Sequence, residues 1–208
     1  MYKGIAPRVA SNFDTGSPIA GPVHLIGTTP DDDFRSGGPH SLVTVPMSDK
    51  VQLTVGVADM KISDDPNTSI VTYALGSCIG LIAYDPTLKL GGLLHLQLPE
   101  SQGFSAEVRQ NQYKFADTGI AALFDELFAK GAQKNRLVIG VFGGANMLQD
   151  EHVFQIGIRN TRATKKILWQ HALFIKHEDV GGTSNRTISI ELGTGKMTMK
   201  KDGVVVEL

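Results

Sequence analysis

The chain has 208 residues, of which 41% are hydrophobic and 20% charged, and its formal net charge is -1. This composition is ordinary for one globular domain with its own core, and the near-neutral charge argues against nucleic acid or an anionic membrane as the main partner, since both select basic surfaces. The apolar runs are too short to span a bilayer, and a single cysteine without a secretory signal predicts a protein of the reducing cytoplasm.

Residues 1–48 differ in composition from the rest of the chain. Glycine, proline, serine, threonine and aspartate dominate them, as in TGSPIAGP and GTTPDDDFRSGGPHS. Such a composition buries too little apolar surface to offset the entropy that ordering would cost. We therefore predict a mostly disordered extension over residues 1–48, with a short ordered piece at residues 23–26, followed by a folded domain over residues 49–208.

The folded domain begins with a series of extended segments. VQLTVGVADMKIS, at residues 51–63, alternates and is rich in Val and Thr, which predicts a strand. SIVTYAL, IGLIAYD and GGLLHLQLP predict three more strands. DPTLK, with Pro86 near its start, separates the last two and predicts that they form a hairpin.

Two helical segments follow, with further strands between and after them. Apolar residues recur at helical spacing over residues 107–130, which predicts one long helix that ends at Gly131. RLVIGVFGG predicts a buried strand, residues 157–170 predict a second helix on which Trp169 is a packing residue, and HALFIKHEDV, TISIELG and KMTMKK predict strands. This order predicts an α+β fold, a mixed α/β sandwich in which a mostly antiparallel or mixed sheet packs against two main helices.

The hairpin places the only cysteine near a histidine. If the turn centres near Pro86 and Thr87, the numbers of paired residues sum to about 173, and Cys78 then lies opposite His95 on the same face of the sheet. An adjacent imidazole can take the proton of a thiol and stabilise the thiolate. Thr72, on the preceding extended segment, is a candidate for holding the imidazole in one tautomer.

Cys78 and His95 also have simpler interpretations. Cysteine is among the most frequently buried residue types, so a lone cysteine in an apolar strand is usually part of the core. A lone histidine is likewise most often a structural residue. From the hairpin alone, a core cysteine and a nucleophile both remain open.

The sequence VTYALGSCIGLIAYDPTLKLGGLLHLQLPES resembles the signature of the CheD family, the chemoreceptor glutamine deamidases of bacterial and archaeal chemotaxis. YKFADTGIAALFDEL, VFGGANML, IGIRN and EDVGG are similar to further motifs of that family, in the same order. The resemblance extends from about Val51 to the C-terminus. It implies an α/β sandwich and a catalytic set at Cys78, His95 and Thr72.

The resemblance also implies a substrate and a mechanism. The substrates are selected glutamines on the cytoplasmic helices of methyl-accepting chemotaxis receptors, which are converted to glutamate through a thioester on Cys78. Backbone N–H groups around Gly76 and Ser77 are candidates for stabilising the oxyanion. Hydrolysis of a receptor methyl ester would use the same groups. The histidines show no metal-ligand spacing, and neither a metal nor a cofactor is expected.

Two loops complete the predicted site. FGGANM follows a buried strand but lacks the phosphate-loop patterns, so we interpret it as a turn that lines the cleft. Gly143, Gly144 and Asn146 are its candidate substrate contacts, although a turn-forming role is the simpler interpretation of Asn146. In the loop GGTSNR, Thr183 and Asn185 depart from the family pattern, while Arg186 keeps its place.

Two alternative functions remain open at the level of sequence. The chain resembles proteins that bind CheC, a CheY-phosphate phosphatase, and it could act mainly as a regulatory partner of CheC. It could also be a cysteine amidase that acts on glutamine in another protein. A pull-down with CheC and an assay on a receptor fragment distinguish these alternatives from receptor deamidation.

Overall fold

The computed structural model of the chain describes residues 50–146 and 155–208. The predictions for residues 1–48 lie outside these ranges. The described residues form ten strands: β1 (Val51–Thr54), β2 (Asp59–Ser63), β3 (Thr68–Leu75), β4 (Ile79–Asp85), β5 (Leu90–Leu96), β6 (Val138–Gly143), β7 (Ile175–Val180), β8 (Arg186–Glu191), β9 (Met197–Lys201) and β10 (Val204–Glu207). They also form three α-helices: α1 (Ala106–Arg109), α2 (Ala116–Ala129) and α3 (Ile156–Gln170). Within the described ranges, no helix is both long and apolar enough to cross a membrane.

The strands divide into two five-stranded sheets. The outer sheet has the order β1-β3-β8-β9-β10, and the central sheet has the order β2-β5-β4-β6-β7. Neighbouring strands are antiparallel, apart from the parallel pairs β1/β3 and β6/β7. The predicted α+β sandwich is therefore confirmed, and the sequence patterns did not reveal that its strands belong to two separate sheets.

The central sheet is covered on both faces. One apolar cluster joins it to α2 and α3, and a second cluster fills the space between the two sheets. Every residue of β4 and β5 is buried as a result. Burial on both faces explains why these strands are almost continuously apolar instead of alternating.

The prediction of one strand over residues 51–63 was wrong. β1 belongs to the outer sheet and β2 to the central sheet, so the chain crosses between the sheets at residues 55–58. Ala58 has a φ of 55°, and the Asp59 carboxylate accepts a hydrogen bond from the Gly56 N–H across this corner. The alternation of apolar and polar residues continues through residues 55–58, so the sequence pattern does not indicate that one strand ends and another begins there.

The predicted long helix over residues 107–130 was also wrong, because the helical segment is interrupted. The Asn111 side chain accepts a hydrogen bond from the Tyr113 N–H, and Phe115 is extended and forms a parallel bridge with Leu98. The carbonyl of Lys114 accepts the N–H groups of two residues that follow β5. These tertiary hydrogen bonds outcompete helix continuation, so α2 begins only at Ala116.

Helical spacing predicts an apolar stripe of Ile158, Ala163, Ile167 and Leu168 on α3, and Ala163, Ile167 and Leu168 do pack in or against the apolar cluster. The buried residues of α3 are Gly157, Asn160, Thr164 and Leu168, so its buried face also contains polar residues outside that stripe. Trp169, predicted to pack in the interior, has 79% of its surface exposed. The helix lies against the central sheet with a face that contains two polar side chains, which the selection of apolar residues could not identify.

Candidate active site

Thr72 and His95 meet between the two sheets. Thr72 lies on β3 of the outer sheet and His95 on β5 of the central sheet, and both side chains are buried. The Thr72 Oγ1 atom lies 2.8 Å from His95 Nδ1 and 2.7 Å from the carbonyl oxygen of Val55. The structure therefore brings together two of the three residues that the resemblance assigns to catalysis.

These contacts determine the tautomer of His95. The Val55 carbonyl can only accept a hydrogen bond, so the single hydroxyl proton of Thr72 is donated to it. The hydroxyl oxygen is then the acceptor for an N–H at Nδ1 of His95. The unprotonated nitrogen is Nε2, which is buried and has no hydrogen-bond partner among the described residues.

Burial keeps both candidate reactive groups neutral at rest. It lowers the pKa of His95 to about 4, although the negative charge of Asp59 partly opposes this effect. Burial also raises the pKa of the Cys78 thiol, which a hydrogen bond from its own backbone N–H partly offsets. The resting pair is therefore a thiol and a neutral imidazole, so the thiol proton has to move when the sulfur attacks.

The predicted position of Cys78 directly opposite His95 was wrong. Gly80 is the residue paired with His95, and Asp85 is paired with Leu90, because the loop comprises all four residues 86–89. Lys89 has a φ of 52°, and the Asp85 carboxylate accepts a hydrogen bond from the Thr87 N–H within this loop. The shift of two residues keeps the parity of the strand, so each side chain stays on its predicted face.

Cys78 is half-buried, directly before β4, and packs against the cluster between the sheets. His95 reaches Thr72 through the same space. Two residues related diagonally across an antiparallel pair are roughly 7–8 Å apart, which long side chains can span. The register places Cys78 and His95 on the same face of the central sheet. The structure shows no hydrogen bond between the Cys78 thiol and the His95 imidazole.

Gly80 allows the two sheets to approach each other at this point. A Cβ atom on Gly80 would lie 2.6 Å from the Ile188 side chain and 2.7 Å from that of Leu75. Ile188 is the partner of Thr72 in the β3/β8 ladder. The missing side chain thus lets β4 pack closely against β3 and β8, next to the position of Thr72.

The predicted turn after β6 holds residues 76–78, here called the cysteine loop, in place. The N–H of Gly144 donates to the Cys78 carbonyl, and the N–H of Ala145 donates to the Gly76 carbonyl, both at 2.8 Å. Gly143 has a φ of 105°, and a Cβ atom on it would overlap the Cys78 carbonyl oxygen. Only glycine fits this approach, so Gly143 and Gly144 support the loop through their backbones.

The remaining predicted contacts lie around the same loop. Gly76 and Ser77 are partly buried, directly before Cys78, and their roles at the oxyanion stay predictions. Asn146 is exposed, and its backbone N–H donates to the Gly182 carbonyl. Its predicted substrate contact likewise remains a prediction. Gly144 offers no free N–H to a substrate, because that group is already bonded to Cys78.

Arg186 has a structural position in the altered loop. It is 1% exposed, donates to Asp179 through Nε at 2.9 Å, and donates to the Ser184 carbonyl. Burial raises the pKa of Asp179, but hydrogen bonds from Arg186 and Lys201 outweigh it and lower that pKa overall. Arg186 pairs with Leu75 at the end of β3, so the ion pair anchors the strand that carries Thr72.

Asn160 is a further residue of this site, which no sequence pattern identified as functional. It is fully buried on α3, and its Nδ2 atom donates to the carbonyl oxygens of Ser77 and Gln97, both at 2.9 Å. The signal in the sequence was an asparagine three residues after Gly157 and eight before Leu168, on the buried face of a helix. It lay within IGIRN, a segment that the resemblance had already identified.

The arrangement suits nucleophilic chemistry at a carbonyl carbon. It provides a thiol, a nearby neutral imidazole with one free nitrogen, and a hydroxyl that orients this imidazole. Within residues 50–146 and 155–208, no group of three or more His, Cys, Asp or Glu side chains is arranged to hold a metal ion.

Comparison with known proteins agrees with the resemblance. The family model described as CheD chemotactic sensory transduction matches residues 97–201. A protein of Solibacter usitatus named "Probable chemoreceptor glutamine deamidase CheD" is 45% identical over 157 residues, which cover 76% of this chain and 93% of that protein.

Two further relatives have comparable coverage. "Probable chemoreceptor glutamine deamidase CheD 1" of Syntrophus aciditrophicus is 41% identical over 149 residues, or 72% of this chain and 93% of the relative. "Probable chemoreceptor glutamine deamidase CheD 2" of Anaeromyxobacter dehalogenans is 40% identical over 156 residues, or 75% of this chain and 98% of the relative. In each case nearly the whole relative is matched.

Proposed function

The chain belongs to the CheD family, and from this we propose that it is a chemoreceptor glutamine deamidase with Cys78 as nucleophile, His95 as acid–base and Thr72 as the residue that orients His95. The observation that carries the assignment is the unpartnered Nε2 of His95. Buried polar atoms without a partner are rare, and a catalytic role is one of the reasons for which they persist.

The first half of the reaction forms a thioester. The Cys78 sulfur attacks the side-chain amide carbon of a receptor glutamine while its proton passes to Nε2 of His95. The carbonyl oxygen becomes an oxyanion, and the backbone N–H groups around Ser77 and Cys78 are its proposed donors. The Nε2 proton then passes to the departing nitrogen, the carbon–nitrogen bond breaks, and ammonia leaves.

The second half hydrolyses the thioester. A water molecule attacks the same carbon while His95 Nε2 takes one of its protons. The carbon–sulfur bond breaks, the sulfur regains a proton, and glutamate is released. The net reaction is glutamine plus water to glutamate plus ammonia, with the enzyme unchanged.

The assay uses the purified chain and a cytoplasmic fragment of a methyl-accepting chemoreceptor. Mass spectrometry of receptor peptides measures the mass gain from amide to acid at each glutamine, and ammonia release is followed in parallel. Because the chain has one cysteine, iodoacetamide modifies only Cys78, and alkylated wild type serves as a matched control for Cys78→Ala. Both should lose on the order of 10³-fold or more in rate.

Two results would overturn the assignment separately. If wild type leaves every receptor glutamine unchanged, the proposed substrate is wrong. If Cys78→Ala deamidates as fast as wild type, the substrate stands and the nucleophile is wrong.

The same site would also hydrolyse a receptor glutamate methyl ester, since the acyl chemistry is shared and methanol replaces ammonia as the leaving group. We further include CheC as a proposed partner and the cytoplasm as the compartment, both on the basis of the resemblance. A receptor fragment carrying methyl esters tests the first extension. A CheC pull-down tests the second, and binding retained by Cys78→Ala would show that association does not depend on the thiol.

A further inference from the structure

Asn160 connects two backbone segments that carry the proposed catalytic residues. One hydrogen bond goes to the carbonyl of Ser77, directly before Cys78, and the other to the carbonyl of Gln97, two residues after His95. α3 therefore contacts the cysteine loop and the end of β5 through one side chain.

The orientation of the Asn160 amide follows from its surroundings. Both neighbouring groups are carbonyl oxygens, which only accept, so the NH₂ end of the amide has to face them. The Oδ1 atom is then buried without a partner among the described residues. An unpaired buried acceptor is unfavourable. The two hydrogen bonds that the Asn160 NH₂ group donates offset this cost.

The bond to Ser77 determines where the N–H of Cys78 points. The described chain contains no cis peptide bond. In a planar trans peptide the carbonyl and the following N–H point in opposite directions. With the Ser77 carbonyl held toward α3, the Cys78 N–H is directed away from the helix, toward the side where the thiol packs.

The approach of α3 to the site is fixed independently of Asn160. A Cβ atom on Gly157 would lie 2.5 Å from the carbonyl oxygens of both Gly144 and Ala145. These two residues brace the cysteine loop through their N–H groups. The first turn of α3 therefore packs against Gly144 and Ala145. Asn160 follows Gly157 by three residues and reaches the cysteine loop at Ser77.

We propose that Asn160 is a positioning residue of the deamidase: it directs the Cys78 N–H toward the oxyanion and holds the cysteine loop at a fixed separation from the end of β5 that carries His95. This role rests on the proposed function, because the oxyanion belongs to that reaction.

The test compares Asn160→Asp and Asn160→Ala with Thr164→Val. Aspartate keeps the shape but turns acceptor oxygens toward the two carbonyls, and alanine removes the donors. Thr164 is equally buried one turn further along α3, and no hydrogen bond connects it to the loop, so it controls for disturbance of the helix. For each variant, kcat and KM on the receptor fragment and the pH profile of Cys78 alkylation are measured.

Both Asn160 variants should lower kcat by roughly 10- to 100-fold through misplacement, with KM within about twofold of wild type. Their alkylation profile should move to higher pH, because the Cys78 N–H no longer stabilises the thiolate. Thr164→Val should change neither quantity. Wild-type kcat and an unshifted alkylation profile in a folded Asn160→Asp would overturn the positioning role.

Alkylation requires no receptor, so failure of this proposal and failure of the proposed function can be distinguished. A shifted profile with an inactive wild type would reject only the deamidase assignment. If both Asn160 variants fail to fold, hydrogen exchange measured by NMR on the wild type tests the proposal instead. The two side-chain NH₂ protons of Asn160 should then exchange slowly with solvent, and exchange at the rate of an exposed amide would overturn the positioning role.

Discussion

The hydroxyl of Thr72 accepts a hydrogen bond from Nδ1 of His95 across the space between the two sheets, at 2.8 Å. Because the hydroxyl proton is donated to Val55, this contact allows only one tautomer and leaves Nε2 as the free base. The outer sheet thus orients His95, the proposed acid–base residue, while the central sheet carries both His95 and, just before β4, the Cys78 thiol.

Thr72→Val should reduce deamidation by roughly 10- to 100-fold, by analogy with the loss caused by removing the partner that orients a metal-binding histidine. It should also destabilise the fold by about 1–3 kcal/mol, because Val55 and His95 lose a buried partner. Thr68→Val is the matched control on β3: Thr68 is equally buried but bonds to Asp65 in a turn. Activity lost equally in both variants would mean that Thr72 acts only through stability.

His95 should make folding stability depend on pH. Its folded pKa of about 4 lies below the ordinary value of 6.5, so the unfolded chain binds the extra proton first. Stability from this group is present above pH 6.5 and is lost as the pH falls toward 4. Between pH 7.5 and 5 the loss should be about 2 kcal/mol.

His95→Asn is the comparison variant for this prediction. The asparagine amide can still donate to Thr72 but carries no titrating group. Urea unfolding of wild type and His95→Asn at several pH values isolates the contribution of His95, because the other titrating groups are common to both. Parallel pH curves for the two proteins would contradict a neutral buried His95.

Much of the fold was predictable where local signals agree. The hairpin of β4 and β5, the strand β6 and the helix α3 follow from apolar runs, turn residues and helical spacing. The crossing after Thr54 and the interruption before Ala116 were not predictable, because both depend on hydrogen bonds to strands distant in sequence.

The site shows a similar division between local and tertiary information. Spacing along the hairpin put Cys78 and His95 on one face, although the register differed by two residues because the loop has four members. The contact of Thr72 with His95 joins two sheets, and the contact of Asn160 with the loop joins a helix to it. Neither pairing leaves a periodic signal in the sequence.

Gly143→Ala should disrupt the site through its backbone. The new Cβ atom would meet the Cys78 carbonyl oxygen, so the cysteine loop would have to move. Gly103→Ala is the matched control, since Gly103 also has a positive φ, 91°, but a Cβ atom added to it would have no neighbouring atom within 4 Å. The control should lose about 1–2 kcal/mol of stability with unchanged kcat.

Gly143→Ala should lose more stability than this control and most of its kcat. Thermal melts and receptor deamidation rates measure the two effects. Equal kcat values in the two variants would show that the turn after β6 does not position Cys78.

Covalent catalysis by Cys78 is tested most directly by capturing the acyl intermediate in a single turnover. Wild type in excess over a receptor peptide containing a target glutamine is quenched in acid, and intact-protein and peptide mass spectrometry locate any adduct. We expect an acyl adduct on Cys78, accompanied by released ammonia and followed by glutamate in the peptide. Conversion of glutamine to glutamate at full rate by Cys78→Ala, with no adduct on the wild type, would contradict this mechanism.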